Sequence, residues 1–201
     1  MLSILKTLEE FDQWLFMKLN SGMTNPVFDV LMPFLRHGTH WAPLYLFLGV
    51  FVGINFGKKG LWWILFFVVT VAFTDMIGTY VFKHNVLRLR PCNDPDFFYN
   101  VRLLVQRCSG GSSFTSNHAA NHFGMATFFL ISFYPILKKW AWIGMVWAVL
   151  IAYAQVYVGV HYPFDVLAGA LLGILVGLLT GKLFKNRYGF PIFDNKPTMT
   201  L

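Results

Sequence analysis

The sequence predicts an all-α protein, a polytopic membrane bundle of five transmembrane helices preceded by an amphipathic N-terminal helix. Of its 201 residues, 56% are hydrophobic and only 12% are charged, whereas soluble domains usually carry about 25% charged residues. The mean hydropathy is +0.55. Four segments reach or approach the roughly 20 apolar residues that cross a bilayer core, and a fifth is somewhat shorter. In chain order, the five segments are 41–57, 61–82, 119–137, 140–160 and 163–181.

The N-terminal region differs from these segments. Residues 1–20 place charged side chains among Leu, Phe and Trp at helical spacing, which is typical of an amphipathic helix and unlike the continuous apolar stretch of a cleaved signal. Residues 25–36 are also apolar, but the segment is shorter than a membrane span and contains Pro26 and Pro33. We predict that both segments lie at the membrane interface. The alternative is that residues 26–36 form a short sixth crossing.

Basic residues determine the predicted orientation. With five crossings, the basic turns after the first and third spans and the basic residues after the fifth fall on one side, which the positive-inside rule makes cytoplasmic. These residues are Lys58, Lys59, Lys138, Lys139, Lys182, Lys185 and Arg187. We expect one domain over residues 1–187, with interfacial helices in 1–37, a transmembrane bundle in 38–187 that includes an outer loop at 84–117, and a cytoplasmic tail at 188–201.

The outer loop contains arginines on the side of the membrane that this rule disfavours. They are Arg88, Arg90, Arg102 and Arg107. Their position indicates a negatively charged ligand, because a guanidinium can bind phosphate through two parallel hydrogen bonds. The alternative is that they contact lipid headgroups or pair with Asp94 and Asp96 in the same loop.

Both ends of the outer loop carry groups that bind anions. Lys83 ends the second span, and Arg90 follows it in the loop, directly before a proline. At the other end, a run of Ser, Thr and Asn that includes Ser116 and Asn117 precedes the third span, and such a run is typical of a helix N-cap. The free amides and the dipole of a helix N-terminus bind anions. The loop therefore predicts an anion site.

A histidine and an aspartate stand in the turn before the last span. His161 and Asp165 are one helical turn apart, and Pro163 between them suits the first position of a helix. Ionisable groups at a membrane edge are functional candidates, and an acid in the first helical turn can hold the ring of a preceding histidine. This turn lies on the same predicted face as the outer loop and His118.

Three motifs in this order resemble the signature of the type 2 phosphatidic acid phosphatase superfamily. They are Lys83-x6-Arg90-Pro91, Ser116-Asn117-His118 and His161-x3-Asp165. The resemblance covers about residues 25–182 and implies a helical membrane phosphatase that needs no metal or other cofactor. It implies His161 as the nucleophile that forms a phosphohistidine, Asp165 as the group that orients its ring, and His118 as the acid for the leaving oxygen. The implied phosphate-binding groups are Lys83, Arg90 and the amides near Ser116 and Asn117.

The chain departs from the family pattern in two motifs. Asn117 stands where the family usually has glycine, and its backbone amide is retained. In the third motif Gln155 replaces the usual arginine, so it can donate a hydrogen bond to phosphate but carries no charge. We predict that another cation compensates; a different substrate or weak activity are the alternatives. The candidate cations are Arg88, Arg102 and Arg107.

Two histidines also permit a metal interpretation. His118 and His122 are one turn apart on a helix face, a spacing that suits zinc. No nearby Glu completes a hydrolase motif, and the phosphate interpretation already uses His118. We therefore predict no metal site and expect Asn121 and His122 to line the phosphate site.

The two cysteines, Cys92 and Cys108, both lie in the outer loop. On an oxidising face of the membrane we expect them to form a disulfide, which would draw the first motif towards the second. In a reducing compartment they would be free thiols.

These features together predict a lipid phosphatase of a bacterial inner membrane with its active site on the outer face. The length, the interfacial helix and the outer-facing site most resemble the undecaprenyl-diphosphate phosphatases, which convert undecaprenyl diphosphate to undecaprenyl phosphate. A phosphatase of lipid A, phosphatidylglycerophosphate or phosphatidate is the alternative. A lipid-to-lipid phosphotransferase and a weakly active lipid-binding or transport homologue are others. The predicted partners are the bilayer and the phosphorylated lipid, with no nucleic acid.

Overall fold

The computed structural model describes residues 2–190, which contain α-helices, short helical turns and no strand. The α-helices are α1 (Leu2–Asn20), α2 (Pro26–Arg36), α3 (Ala42–Met76), α4 (Asn117–Leu137), α5 (Ile143–Tyr157) and α6 (Pro163–Arg187). The all-α prediction is therefore confirmed. Most of the predicted C-terminal tail, from residue 191 onwards, lies outside the described residues.

Two of the long helical stretches reverse direction. Gly57 has a non-helical backbone (φ 52°, ψ −129°), and beyond it Gly60 packs against the Val52 carbonyl, which a straight helix would hold about 12 Å away. Lys138 has a similar backbone (φ 51°, ψ −129°), and α4 and α5 on either side of it pack together. α3 therefore consists of two limbs, 42–56 and 58–76.

Five apolar helical limbs thus stand at the positions of the five predicted spans. Three continuous stretches are long and apolar enough to cross a membrane, Gly38–Lys83, Asn117–Tyr157 and Pro163–Arg187, and the first two contain the reversals. Their outward faces expose large apolar side chains such as Ile54 (78% exposed) and Leu179 (71%), as a lipid-facing surface requires. The number of crossings stays a prediction.

The two N-terminal helices pack against the bundle at one end. α2 has 11 residues and is about 16 Å long, shorter than a hydrocarbon core of about 30 Å, which favours the predicted interfacial position over a sixth crossing. Its buried Met32 and Leu35 pack against α5. α1 contacts α5 and α6, where Phe16 is fully buried beside Tyr162.

A stripe of glycines on α6 brings α4 and α6 into close contact. A β-carbon on Gly169, Gly173 or Gly177 would overlap the backbone of α4, and this pair of helices forms the most extensive contact in the described chain. Small residues at such spacing permit close packing of membrane helices. The first turns of α4 and α6, which carry the second and third sequence motifs, are therefore held side by side.

The outer loop is closed by a disulfide between Cys92 and Cys108, whose Cα atoms are 5.9 Å apart. Short helical turns at Pro91–Asn93 and Phe98–Asn100 lie within this loop. The bridge fixes the segment that directly follows Arg90, one of the predicted phosphate-binding residues.

Removal of the disulfide is expected to lower the thermal stability of the protein in detergent. Closing a loop of about 17 residues contributes about 3 kcal/mol by restricting the unfolded chain. The Tm of wild type and of the Cys92→Ala/Cys108→Ala variant, followed by tryptophan fluorescence, measures the effect. Reductant should lower the Tm of the wild type and leave that of the cysteine-free variant unchanged. Equal Tm values for the two oxidised proteins would contradict the expectation.

Candidate active site

The three sequence motifs meet at one end of the bundle. The Ser116 amide donates to the Asp165 carbonyl at 3.0 Å, which joins the start of α4 to the start of α6. Arg90 Nη1 donates to the Val160 carbonyl at 3.1 Å and lies 3.0 Å from His161 Nε2, which joins the outer loop to the turn before α6. Residues far apart in the sequence therefore form one site.

His161 is buried, with 3% of its surface exposed, and both ring nitrogens have partners. Nδ1 lies 3.6 Å from Asp165 Oδ2 and 3.2 Å from Ser113 Oγ, and that hydroxyl donates to the same carboxylate oxygen at 2.5 Å. Because an arginine only donates hydrogen bonds, the contact with Arg90 makes Nε2 an acceptor and assigns the ring proton to Nδ1. The lone pair of Nε2 therefore faces the cationic side of the site.

The surroundings of His161 keep it neutral. Burial lowers the pKa of the imidazole to about 4, Asp165 opposes this change, and the positive charge of Arg90 reinforces it. The ring is consequently unprotonated at neutral pH. This is the form in which a histidine acts as a nucleophile.

Asp165 is held in place by several donors. Its Oδ1 accepts from Arg88 Nη1 at 2.7 Å, and its Oδ2 accepts from the Tyr162 amide at 2.9 Å. Arg88 also binds Asp12 Oδ2 through Nη2 at 2.6 Å, and Asp12 Oδ1 accepts from the Phe164 amide at 2.9 Å. Asp12, a buried carboxylate of α1, thus supports the start of α6. This contact was not predicted from the sequence.

Two of the three candidate substitute cations of the outer loop are paired with carboxylates. Arg88 pairs with the two buried carboxylates of Asp12 and Asp165, and Arg102 pairs with Asp29 of α2. Neither uses Asp94 or Asp96, the partners considered from the sequence. The charges of Arg88 and Arg102 are therefore already paired with carboxylates. Arg107 is exposed in the loop.

Lys83 and Arg90 form the cationic side of the site. A π-helical turn, Ile77–Lys83, continues α3 and ends at Lys83, close enough to Arg90 and Asp165 to interact with their charges. Arg90 is 7% exposed, and within residues 2–190 its Nε is buried without a hydrogen-bond partner. A buried guanidinium with a free donor is suited to an anion.

The start of α4 differs in detail from the predicted anion site. Ser116 caps the helix by accepting from the Ala119 amide at 3.4 Å, as predicted, but its own amide is engaged by the Asp165 carbonyl. The Asn117 side chain turns towards α3, where it donates to Asp75 at 2.9 Å and Thr79 at 2.8 Å. The backbone amide of Ser116 and the side chain of Asn117 are therefore unavailable to phosphate.

His118 lies in the first turn of α4 and is half-buried. Arg36, His161 and Lys83 are close enough to act electrostatically on its ring. Its carbonyl accepts from His122 Nδ1 at 2.7 Å, and His122 Nε2 lies 3.4 Å from the Tyr45 hydroxyl. In the part of the chain that the structure describes, no three His, Cys, Asp or Glu side chains gather as a metal site.

Gln155 is fully buried beneath the His161 turn. Its backbone carbonyl accepts from the amides of Val160 and His161, and its Oε1 accepts from Arg36 Nε at 3.4 Å. Arg36, the last residue of α2, was not among the predicted site residues. Its place here depends on how α2 packs on α5.

A groove of about 760 Å³ adjoins His118 between α3 and α4. Its polar end contains Asp75, which accepts from both Asn117 and Asn121. The apolar wall continues along the helices and includes Leu48, Phe67, Val68, Val71 and Met125. A groove that is polar beside the site and apolar beyond it has the form that a lipid needs.

The sequence profile of the PAP2 superfamily matches residues 60–188, well over half of the chain. The chain belongs to the PAP2 superfamily. The predicted family is thereby confirmed, and the match spans all three motifs.

Two curated relatives of this PAP2 protein are phosphatases by name. The lipid A 4'-phosphatase of Bacteroides thetaiotaomicron is 32% identical over 173 residues, which cover 85% of this chain and 75% of that protein. The undecaprenyl-diphosphatase of Sulfolobus acidocaldarius is 36% identical over 148 residues, 71% of this chain and 64% of that one.

Two solved structures share the fold of this PAP2 protein. The PAP2-type phosphatidylglycerolphosphate phosphatase of Bacillus subtilis has a TM-score of 0.67 at 25% identity, covering 92% of this chain and 90% of that one. LpxE of Aquifex aeolicus has a TM-score of 0.59 at 27% identity, covering 84% and 93%. This PAP2 protein is therefore a multi-pass membrane lipid phosphatase.

Proposed function

We propose that this PAP2 protein hydrolyses a phosphate ester or anhydride of a lipid through a phosphohistidine at His161. The observation that carries the proposal is the orientation of the His161 ring. Its Nδ1 side is held by Ser113 and Asp165, and its Nε2 lies 3.0 Å from Arg90. A neutral histidine whose Nε2 lone pair is directed at an arginine is suited to attack a phosphoryl group once that arginine binds the phosphate.

The first chemical step transfers the phosphoryl group to His161. Phosphate binding draws the Arg90 guanidinium onto a phosphoryl oxygen and uncovers Nε2, which attacks phosphorus. The bond from phosphorus to the leaving oxygen breaks as a P–N bond forms. His118, whose protonated form the bound phosphate anion favours, gives its proton to that oxygen. Asp165 stabilises the imidazole ring while it carries positive charge. Lys83 and Arg90 stabilise the phosphoryl oxygens in the transition state.

The second step returns the enzyme to its starting state. Water attacks phosphorus from the side that the leaving group has vacated, and His118 accepts its proton. The P–N bond breaks, inorganic phosphate leaves, and Nε2 regains its lone pair. The same histidine therefore acts first as acid and then as base.

The first candidate substrate is undecaprenyl diphosphate. The Sulfolobus relative with 36% identity carries that activity in its name, and the apolar wall of the groove beside His118 suits a polyprenyl chain. Lipid A bearing a 4'-phosphate is the second candidate, because two relatives with that name align with 85% and 87% of this chain.

The proposed location is a bacterial inner membrane with the site on the outer face and the C-terminus in the cytoplasm. The basic residues at the turns between spans support this orientation through the positive-inside rule. The Cys92–Cys108 disulfide beside the site also supports it, since disulfides persist in oxidising compartments.

The test is phosphate release from a panel of lipids by protein purified in detergent. Undecaprenyl diphosphate, lipid A, phosphatidylglycerophosphate and phosphatidate are supplied at equal concentration, with and without a chelator of divalent metals. We expect release that is unaffected by the chelator and a kcat/KM highest for undecaprenyl diphosphate. A higher value for lipid A would select the second candidate.

A His118→Ala variant purified in parallel controls for contaminating phosphatases. Phosphate released equally by both proteins would overturn the proposal, as would the absence of release from every lipid. Phosphate found on a second lipid instead of in solution would identify a phosphotransferase.

A further inference from the structure

The site has no arginine at the position where the family signature places its second one. Gln155 occupies that position, and with no exposed surface it sits directly under the His161 turn. Its amide nitrogen is directed to the Ile151 carbonyl at 3.4 Å, within its own helix. The amide oxygen accepts from Arg36 Nε. The neutral side chain at 155 therefore contacts a guanidinium that comes from another helix.

The packing of α2 fixes the position of Arg36. Met32 and Leu35 of α2 are buried against Ala154, Tyr157 and Val158 of the α5 end. Asn25, which caps α2, also donates its amide to the Tyr157 hydroxyl at 3.1 Å. α2 is thus anchored along its length, and its last residue, Arg36, contacts Gln155 under the His161 turn.

The charge of Arg36 is not neutralised by a carboxylate. None of the ion pairs formed within residues 2–190 includes Arg36, whereas Arg88 and Arg102 both have acidic partners. Burial lowers the pKa of Arg36, and the positive charge of Arg90 lowers it further. Arg36 and Arg90 therefore repel each other, and an anion bound close to both would offset this repulsion.

We propose that Arg36 is the second phosphate-binding guanidinium of this site and replaces the arginine that the family carries at position 155. The inference rests on the proposed phosphatase function. Gln155 acts as the positioning residue, because its Oε1 holds Arg36 Nε and leaves the two terminal nitrogens free for phosphoryl oxygens. Arg36 also lies close enough to His118 for its charge to act on that ring.

Relocation of the guanidinium tests this assignment. Arg36→Ala is expected to lower kcat/KM on the lipid that the wild type uses by about 100-fold, the effect of losing one transition-state donor. Arg36→Lys should recover part of the loss, since an ammonium restores the charge but not the planar fork. In Arg36→Ala/Gln155→Arg, truncation of Arg36 opens space for an arginine at 155, and at least about tenfold of the lost activity should return.

Matched controls separate this role from a structural one. Arg187→Ala removes an exposed arginine at the far end of α6 and should leave kcat/KM unchanged. The Tm of each variant without ligand checks folding. If Arg36→Ala does not fold, the activity of Arg36→Gln tests the role of the charge instead, because the glutamine amide keeps a polar group that can contact Gln155.

Inorganic phosphate provides a readout that is independent of lipid turnover. Phosphate should raise the Tm of the wild type through binding to the folded state and raise that of Arg36→Ala much less. Wild-type kinetics and a wild-type phosphate response in Arg36→Ala would overturn the inference while the phosphatase function stands. A wild type inactive on every lipid would overturn the phosphatase function, and the phosphate titration would still decide the role of Arg36.

Discussion

Replacing His161 with alanine is expected to reduce phosphate release by at least about 10³-fold, as the loss of a covalent nucleophile does in other enzymes. The remaining residues still bind phosphate, since Lys83 lies on another element and Arg90 has a second anchor besides the imidazole. Arg90 keeps its bond to the Val160 carbonyl. The variant should therefore bind the lipid with nearly unchanged affinity and fail at the first chemical step.

The covalent intermediate gives a second measurement of this prediction. Rapid denaturation of wild type during turnover of a radiolabelled diphosphate should trap label on the protein, stable in base and lost in acid, as expected of phosphohistidine. His161→Ala should trap none. His84→Ala is the matched control, because His84 is an exposed histidine of the same loop and its loss should not change either measurement. Activity of His161→Ala within tenfold of wild type would contradict the assignment of Nε2 as nucleophile.

Local chemistry made the helix starts around the site predictable. Ser116 caps α4 and Pro163 occupies the first position of α6, because capping depends on residues within one turn of the helix end. The sequence also spaces Gly169, Gly173, Gly177 and Gly181 four residues apart, but it does not show which helix this stripe contacts. These features fix two of the three elements that meet at the site.

The contacts of the arginines around the site were not predictable from the sequence. Arg88 meets Asp12 across 76 residues, and Arg36 meets Gln155 across 119 residues. Such contacts depend on how α1 and α2 dock on the bundle, and composition alone assigned both helices to the interface. The sequence suggested that the loop arginines could pair with acids of the same loop. In the structure, Arg88 and Arg102 pair instead with Asp12 and Asp29 of the N-terminal helices.

One signal in α1 could have indicated its docking. Asp12, Phe16 and Asn20 recur every four residues and lie on one face of the helix, and all three are fully buried. Asn20 donates to the Tyr157 carbonyl at 2.8 Å and the Arg102 carbonyl at 2.9 Å. Polar side chains in register with a buried aromatic predict a helix face that contacts protein backbone, whereas a lipid interface would place them on the opposite face from Phe16.

Replacement of Asp12 by alanine is expected to destabilise the protein and to impair catalysis without touching the substrate. The carboxylate has no exposed surface and accepts from Arg88 and from the Phe164 amide at the start of α6. Removing one partner of a buried ion pair costs about 3–5 kcal/mol. Because Arg88 also holds Asp165, its displacement should disorder the carboxylate that orients His161. We expect a lower Tm together with a kcat reduced more than KM is changed.

The variants Asp12→Asn and Glu9→Ala separate these effects. Asp12→Asn keeps an acceptor for the Phe164 amide but loses the charge opposite Arg88, so its Tm and kcat should fall between those of wild type and Asp12→Ala. Glu9 is an exposed acid of the same helix, and its replacement should leave both unchanged. If Asp12→Ala lowered Tm and kcat no more than Glu9→Ala does, Arg88 would hold Asp165 without help from α1, and the N-terminal helix would have no part in the site. A double-mutant cycle of Asp12→Ala with Arg88→Ala measures the coupling between these two residues directly. If they act together, the second substitution is less harmful once the first is present.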